Sequence, residues 1–204
     1  MKDITKTTIF FVRHGETHKG KEIFWSRKPG RSLSQKGIKQ IEKAASYLSQ
    51  FPIIGIFYSP SKRTTQSAII ISESFRHAEI TTSKELWEWD QGFNGKRVEG
   101  KPFSSFGQEI NNVYQSHPTK MIGGETLIEA IQRASGFVNE LIFKYEGKFI
   151  VCVSHEDVIR GTVLVLQKES LDNLNSIPCV KGSIYKLVFR KERLISVEYI
   201  PGFT

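Results

Sequence analysis

The chain has 204 residues, 39% hydrophobic and 25% charged, and its 29 basic and 21 acidic side chains give a net charge of +8. This is the make-up of an ordinary soluble globule with enough chain for a full core. No stretch approaches the length of a membrane span, and the charged start Met1-Lys2-Asp3 is unlike a signal peptide. The two cysteines have neither metal-ligand spacing nor a disulfide framework, so a reducing cytoplasm is the expected compartment. The positive charge suits an anionic substrate, and no nucleic-acid-binding motif accompanies it.

In chain order, the first strand is expected at 7–13, where Thr8-Ile9-Phe10-Phe11-Val12 is a buried β-type run that ends in Arg13-His14-Gly15-Glu16-Thr17. Gly15 is expected to let the backbone turn there. A helix follows from Ser34 to Gln50, with Ser34 as cap and Ile38, Ile41, Ala45 and Leu48 on one face. The next strand, 53–59, leads through Ser59 as cap and Pro60 at the first position into a helix from Arg63 to Phe75, whose apolar face is Ala68, Ile69 and Ile71. Residues 90–124, bearing several Gly and Pro, are expected to arch over the site as a lid. From Glu125 to Tyr145, the residues Leu127, Ile131, Ala134, Val138 and Leu141 keep helical spacing. A strand at 148–154, holding Cys152 as core packing, delivers His155, and Asp157 falls in the first turn of the next helix. An antiparallel pair at 184–190 and 194–200 turns near Lys191-Glu192. The alternation predicts an α/β fold, a three-layer α/β/α sandwich with a mainly parallel central sheet covered on both faces. No repeat, low-complexity tract or linker divides it, so 1–204 reads as a single domain.

The chemistry sits at the strand ends. Two His and two Arg (Arg13, His14, Arg63, His155) each follow or open a strand-to-helix junction, where free amide N–H groups favour an anion. Arginine's planar fork suits phosphate oxygens, and neutral imidazole is a nucleophile near neutral pH. Their convergence describes a phosphate cradle. Taken singly, each has a plainer reading as a surface side chain where a strand ends.

Four segments in order carry a resemblance. They are Arg13-His14-Gly15-Glu16-Thr17, then Tyr58-Ser59-Pro60-Ser61-Lys62-Arg63-Thr64-Thr65-Gln66-Ser67-Ala68, then Leu86-Trp87-Glu88-Trp89-Asp90-Gln91-Gly92, and Val151-Cys152-Val153-Ser154-His155-Glu156-Asp157-Val158-Ile159-Arg160. Leu33-Ser34-Gln35-Lys36-Gly37 and Gly123-Gly124-Glu125-Thr126 flank them. Together they resemble the histidine phosphatase (phosphoglycerate mutase-like) superfamily. The resemblance implies that His14 is the nucleophile and forms a phosphohistidine. It also implies that Arg13, Arg63 and His155 neutralise the phosphoryl oxygens. Glu88 matches the general acid, with Glu85 as the competing carboxylate; Thr17, Ser26 and Arg97 are expected to bind substrate. No metal site and no cofactor is expected.

Departures from the pattern bear on the substrate. Gly20 stands where an Asn usually binds phosphate, Arg27 replaces a small Gly, and Glu156 replaces the usual Gly after the second histidine. The segment from Glu88 to His155 is also shorter than in the glycolytic mutases. A site that is easily wetted loses its phosphohistidine to water. The expected function is therefore a metal-independent phosphatase of small phosphomonoesters. The alternatives are a cofactor-dependent phosphoglycerate mutase, or a non-catalytic phosphate-binding module that has no use for Glu88. The expected partner is a small phosphomonoester, with neither nucleic acid nor membrane; the oligomeric state is not legible.

Overall fold

A computed structural model describes residues 6–18, 30–90 and 125–202. Six strands form one sheet: β1 (Lys6–Arg13), β2 (Ile53–Tyr58), β3 (Glu79–Thr82), β4 (Phe149–Ser154), β5 (Ile184–Arg190) and β6 (Arg193–Ile200). Their order is β3-β2-β4-β1-β5-β6. The pairings β2·β3, β2·β4 and β1·β4 are parallel, whereas β1·β5 and β5·β6 are antiparallel. The sheet is parallel through its core and ends in the antiparallel hairpin read from the sequence. The short edge strand β3 was not expected; four residues, Glu79-Ile80-Thr81-Thr82, none of them buried, give too weak a pattern.

Alternation along the central strands sends side chains to two cores. Ile9 and Phe11 of β1 join Ile150 and Cys152 of β4 on one face, while Phe10 and Val12 join Val151 and Val153 on the other. Helices α1 (Gln35–Leu48) and α2 (Lys62–Ser72) cover the second face through Ile41, Ala44, Leu48, Ala68 and Ile71. Helices α3 (Leu127–Lys144) and α4 (Glu156–Gln167) cover the first through Val138, Leu141, Ile159 and Val163. That is the three-layer α/β/α sandwich. Cys152 is fully buried among the apolar side chains, as core packing requires.

Local signals set two of the four described helix starts. Ser34 caps α1 by accepting from the Gly37 N–H, and Thr126 with Glu129 forms a reciprocal capping box at α3. The α2 start departs from expectation. Ser59 does not cap; its N–H donates to the Val153 carbonyl at 3.1 Å, which keeps the chain extended beside β4, so the helix opens only at Lys62. The α2 face also differs. Ile69 is half exposed, and Arg63, Thr64, Ser67, Ala68 and Ile71 face inward. Thr64 and Ser67 tolerate burial because their hydroxyls donate to the Ser59 and Arg63 carbonyls. Helices α1, α2 and α3 end at Leu48, Ser72 and Lys144, one to three residues short of the expected Gln50, Phe75 and Tyr145.

Gly15 has no positive φ; its role is close approach. A Cβ there would strike the Gly37 carbonyl, and a Cβ on Gly37 would strike the Glu16 backbone. The two glycines press the loop after β1 onto the first turn of α1. Gly37→Ala should therefore cost about 1–3 kcal/mol and lower turnover, by pushing aside the loop that carries His14. Thermal melting read beside kcat tests this; an unchanged kcat would dissociate the packing from the site.

Candidate active site

The C-terminal ends of β1, β2 and β4 lie side by side, because β4 pairs in parallel with both neighbours. Each end releases a functional side chain. His14 follows β1, Arg63 lies in the first turn of α2 after β2, and His155 occupies the N-cap position of α4 after β4. The backbone is tied across this rim, with the His14 N–H donating to the Ser154 carbonyl at 3.2 Å.

Arg63 bridges the two imidazoles. Its Nε donates to His14 Nε2 at 3.0 Å and its Nη2 lies 2.9 Å from His155 Nδ1. A guanidinium only donates, so both facing ring nitrogens carry lone pairs. His14 therefore bears its proton on Nδ1, which lies 2.8 Å from the Gly15 carbonyl. His155 bears its proton on Nε2, 2.8 Å from Ser59 Oγ and 3.4 Å from Ser61 Oγ. Burial is the main cause that holds both imidazoles well below the usual histidine range, with Lys181 and Arg63 adding to it. Both rings are neutral near pH 7, and the His14 Nε2 lone pair faces the Arg63 side of the site.

Glu88 Oε2 stands 3.7 Å from His155 Nδ1, and its Oε1 accepts from the Trp89 N–H at 3.0 Å. Because His155 is neutral, the first contact is not an ion pair. Burial, reinforced by Asp157, pushes the Glu88 carboxyl up to about 7, against the pull of Arg63 and Arg13. A carboxyl poised there can both give and take a proton near neutrality. Glu85 lies one turn back, its N–H capped by Ser83 Oγ at 3.2 Å and its carbonyl facing Arg133.

Arg13 is occupied differently from Arg63. Its Nη1 donates to the Cys179 carbonyl and its Nη2 pairs with Glu156, whose other oxygen holds Arg160 at 3.0 Å. Glu156, the departure after the second histidine, thus turns onto two arginines. Thr17 pairs through its backbone with Leu33. Ser26 and Arg97, the departures at Gly20 and Arg27, and the expected lid beyond Asp90 all lie outside the described residues.

A family model for the histidine phosphatase superfamily (branch 1) matches residues 9–200. The chain belongs to this superfamily. It is 27% identical to phosphoserine phosphatase 1 of Hydrogenobacter thermophilus, over 91% of this chain and 87% of that one. It is 31% identical to a 2,3-bisphosphoglycerate-dependent phosphoglycerate mutase of Thermoplasma acidophilum, over 74% and 72% of the two chains. In fold it resembles a phosphoserine phosphatase of Entamoeba histolytica solved with 3-phosphoglyceric acid, with TM-score 0.77, 20% identity and coverage of 97% and 98%.

Two parts of this histidine phosphatase's site carried no local signal in the sequence. One is Arg133 on α3. It donates to the main-chain carbonyls of Lys84 at 3.0 Å, Glu85 at 2.6 Å and Trp87 at 3.1 Å, and to the Glu125 carboxylate at 2.7 Å. Ser154 Oγ adds a bond to the Leu86 carbonyl at 2.9 Å. Together they fix the segment that presents Glu88. Arg133→Ala should lower kcat about tenfold or more while phosphate binding holds, since small misplacements of a reacting group are costly. Equal losses in kcat and phosphate affinity would instead indicate general disruption. The other is Lys181, ahead of β5, whose charge acts on both imidazoles.

Proposed function

We propose that residues 1–204 act as one histidine phosphatase domain that hydrolyses small phosphomonoesters through a phosphohistidine on His14, without a metal ion. The observation that supports this most is the fork of Arg63, with one arm on each neutral imidazole at 3.0 and 2.9 Å. A phosphoryl group entering that fork meets the Nε2 lone pair of His14 and a fixed cation. In the first step His14 Nε2 bonds to phosphorus as the ester P–O bond breaks, and Glu88 gives its proton to the departing oxygen. In the second step Glu88 takes a proton from water, the water oxygen bonds to phosphorus and the P–N bond breaks. Arg63 and Arg13 stabilise the spreading negative charge in both steps, and His155 joins them once the incoming dianion favours protonation of its Nδ1. The relatives named as phosphoserine phosphatases support a small-molecule substrate.

Similarity to the Thermoplasma acidophilum mutase supports a second reading, phosphoglycerate isomerisation. Stimulation of isomerisation by bisphosphoglycerate separates the two. A turnover screen of sugar phosphates, nucleotides, phosphoglycerates, phosphoserine and phosphopeptides should find hydrolysis. That hydrolysis should persist in excess chelator, because the guanidinium and imidazole donors do the charge work a metal ion does elsewhere. Activity lost on chelation and restored by Mg²⁺ or Zn²⁺ would overturn the proposal.

A further inference from the structure

Lys181 belongs to none of the four motifs, yet the fold holds it at the site. Gly182, at φ +74°, turns the chain ahead of β5. The Gly182 N–H donates to the Arg13 carbonyl at 3.1 Å, and the Arg13 N–H donates to the Ser183 carbonyl at 3.0 Å. Lys181 is thus clamped one residue from the strand end that delivers Arg13 and His14. Its side chain is half-buried, and no hydrogen bond or ion pair with a described residue holds its ammonium. The charged groups facing it are Arg13 from β1, Arg63 from α2, Glu156 from α4 and Glu88 from the segment before α3. His14 and His155 face it as neutral rings.

A half-buried ammonium beside two guanidiniums, with no carboxylate of its own, is unfavourable in the folded protein unless an anion joins it. Glu156 does not meet that need, since its oxygens are engaged by Arg13 and Arg160. The same ion pair draws charge from Arg13, a guanidinium expected to face the phosphoryl group. We infer that Lys181 is a phosphate-binding residue of this site, supplying the cationic charge that Glu156 withdraws from Arg13. The inference rests on the reading of the Arg63 fork as the seat of a phosphoryl group.

The pH dependence follows. Burial, then Arg13 and Arg63, push the Lys181 ammonium down to about 8. A bound phosphate dianion favours its protonated form, so above that pH binding must take up a proton and weakens. Glu88, pushed up to about 7, also opposes phosphate once ionised; Lys181→Arg keeps the positive charge that faces Glu88, so its comparison with wild type isolates the titration at position 181.

The test is calorimetric titration of the full chain with inorganic phosphate at about pH 7.5 and about pH 9.5, for wild type, Lys181→Met and Lys181→Arg. Loss of one charge-assisted bond should weaken phosphate about tenfold in Lys181→Met at the lower pH, with the KM for nitrophenyl phosphate rising in step. Lys181→Arg should match wild type at the lower pH and exceed it at the higher, because arginine keeps its charge. The melting temperature of Lys181→Met should not fall. Unchanged phosphate affinity in Lys181→Met, or coincident pH curves for wild type and Lys181→Arg, would overturn the role of Lys181 and leave the phosphohistidine reading standing. Wild-type protein that neither binds phosphate nor hydrolyses a phosphomonoester would remove both.

Discussion

His14→Ala is expected to lower phosphatase turnover by about 10⁴-fold or more, because it deletes the group proposed to form the covalent bond and nothing beside it can take over. His155 is the other imidazole near Arg63, but its Nε2 is tied to Ser59 and Ser61 and its Nδ1 is shared between Arg63 Nη2 and Glu88 Oε2. Cys152 is fully buried in β4, and burial raises its thiol far above the usual range, so it offers no thiolate. The fold should survive, since His14 belongs to neither of the two large apolar clusters. Phosphate binding should also survive, because Arg63 and Arg13 remain. Steady-state kinetics beside a melting curve and a phosphate titration check the three parts separately. Substantial turnover in a folded His14→Ala protein would end the covalent account.

Glu88→Gln should fall hardest with poor leaving groups. If Glu88 protonates the departing oxygen, the phosphorylation burst with an alkyl phosphate should drop about 10²-fold or more. Nitrophenyl phosphate, whose leaving group needs little protonation, should lose far less. The burst and not the steady state must be compared, because Glu88 is also the proposed base of the second step. Equal loss for both substrates would point to Glu85 as the next acid to test. The pH behaviour has a definite sign. The carboxyl is pushed from the ordinary 4.5 up to about 7, so protonated Glu88, and with it the phosphorylation step, declines as pH rises through about 7. Stability moves the same way. Between the unfolded and folded values only the unfolded chain releases the proton, so wild type loses stability as pH rises from about 4.5 to about 7 and keeps that deficit above it. The glutamine variant lacks this loss, and its melting temperature relative to wild type should rise over the same interval.

Much of this was legible because it was local. The strands β1, β2 and β4 are short runs rich in β-branched and aromatic residues and mostly buried, which few helices imitate. Arg13, His14, Arg63 and His155 could be placed because each sits within a few residues of such a run. What escaped was non-local. Ser59 resembles a helix cap by residue type, and only the neighbouring β4 ladder shows why it stays extended and serves His155 instead. Arg133 reaches carbonyls far back in the chain, and no spacing announces that reach. Lys181 becomes part of the site because β5 pairs antiparallel with β1, which brings Gly182 and Ser183 onto Arg13. Glu156 stands out in the sequence as a departure after the second histidine, but only the three-dimensional arrangement shows its capture by Arg13 and Arg160.

The central claim is the phosphohistidine, and rapid acid-free quenching during turnover tests it most directly. Denatured, proteolysed wild-type protein should carry a base-stable, acid-labile phosphate that mass spectrometry maps to His14. Phosphate found on a serine or cysteine, or full burst kinetics with no phosphate on His14, would contradict the account.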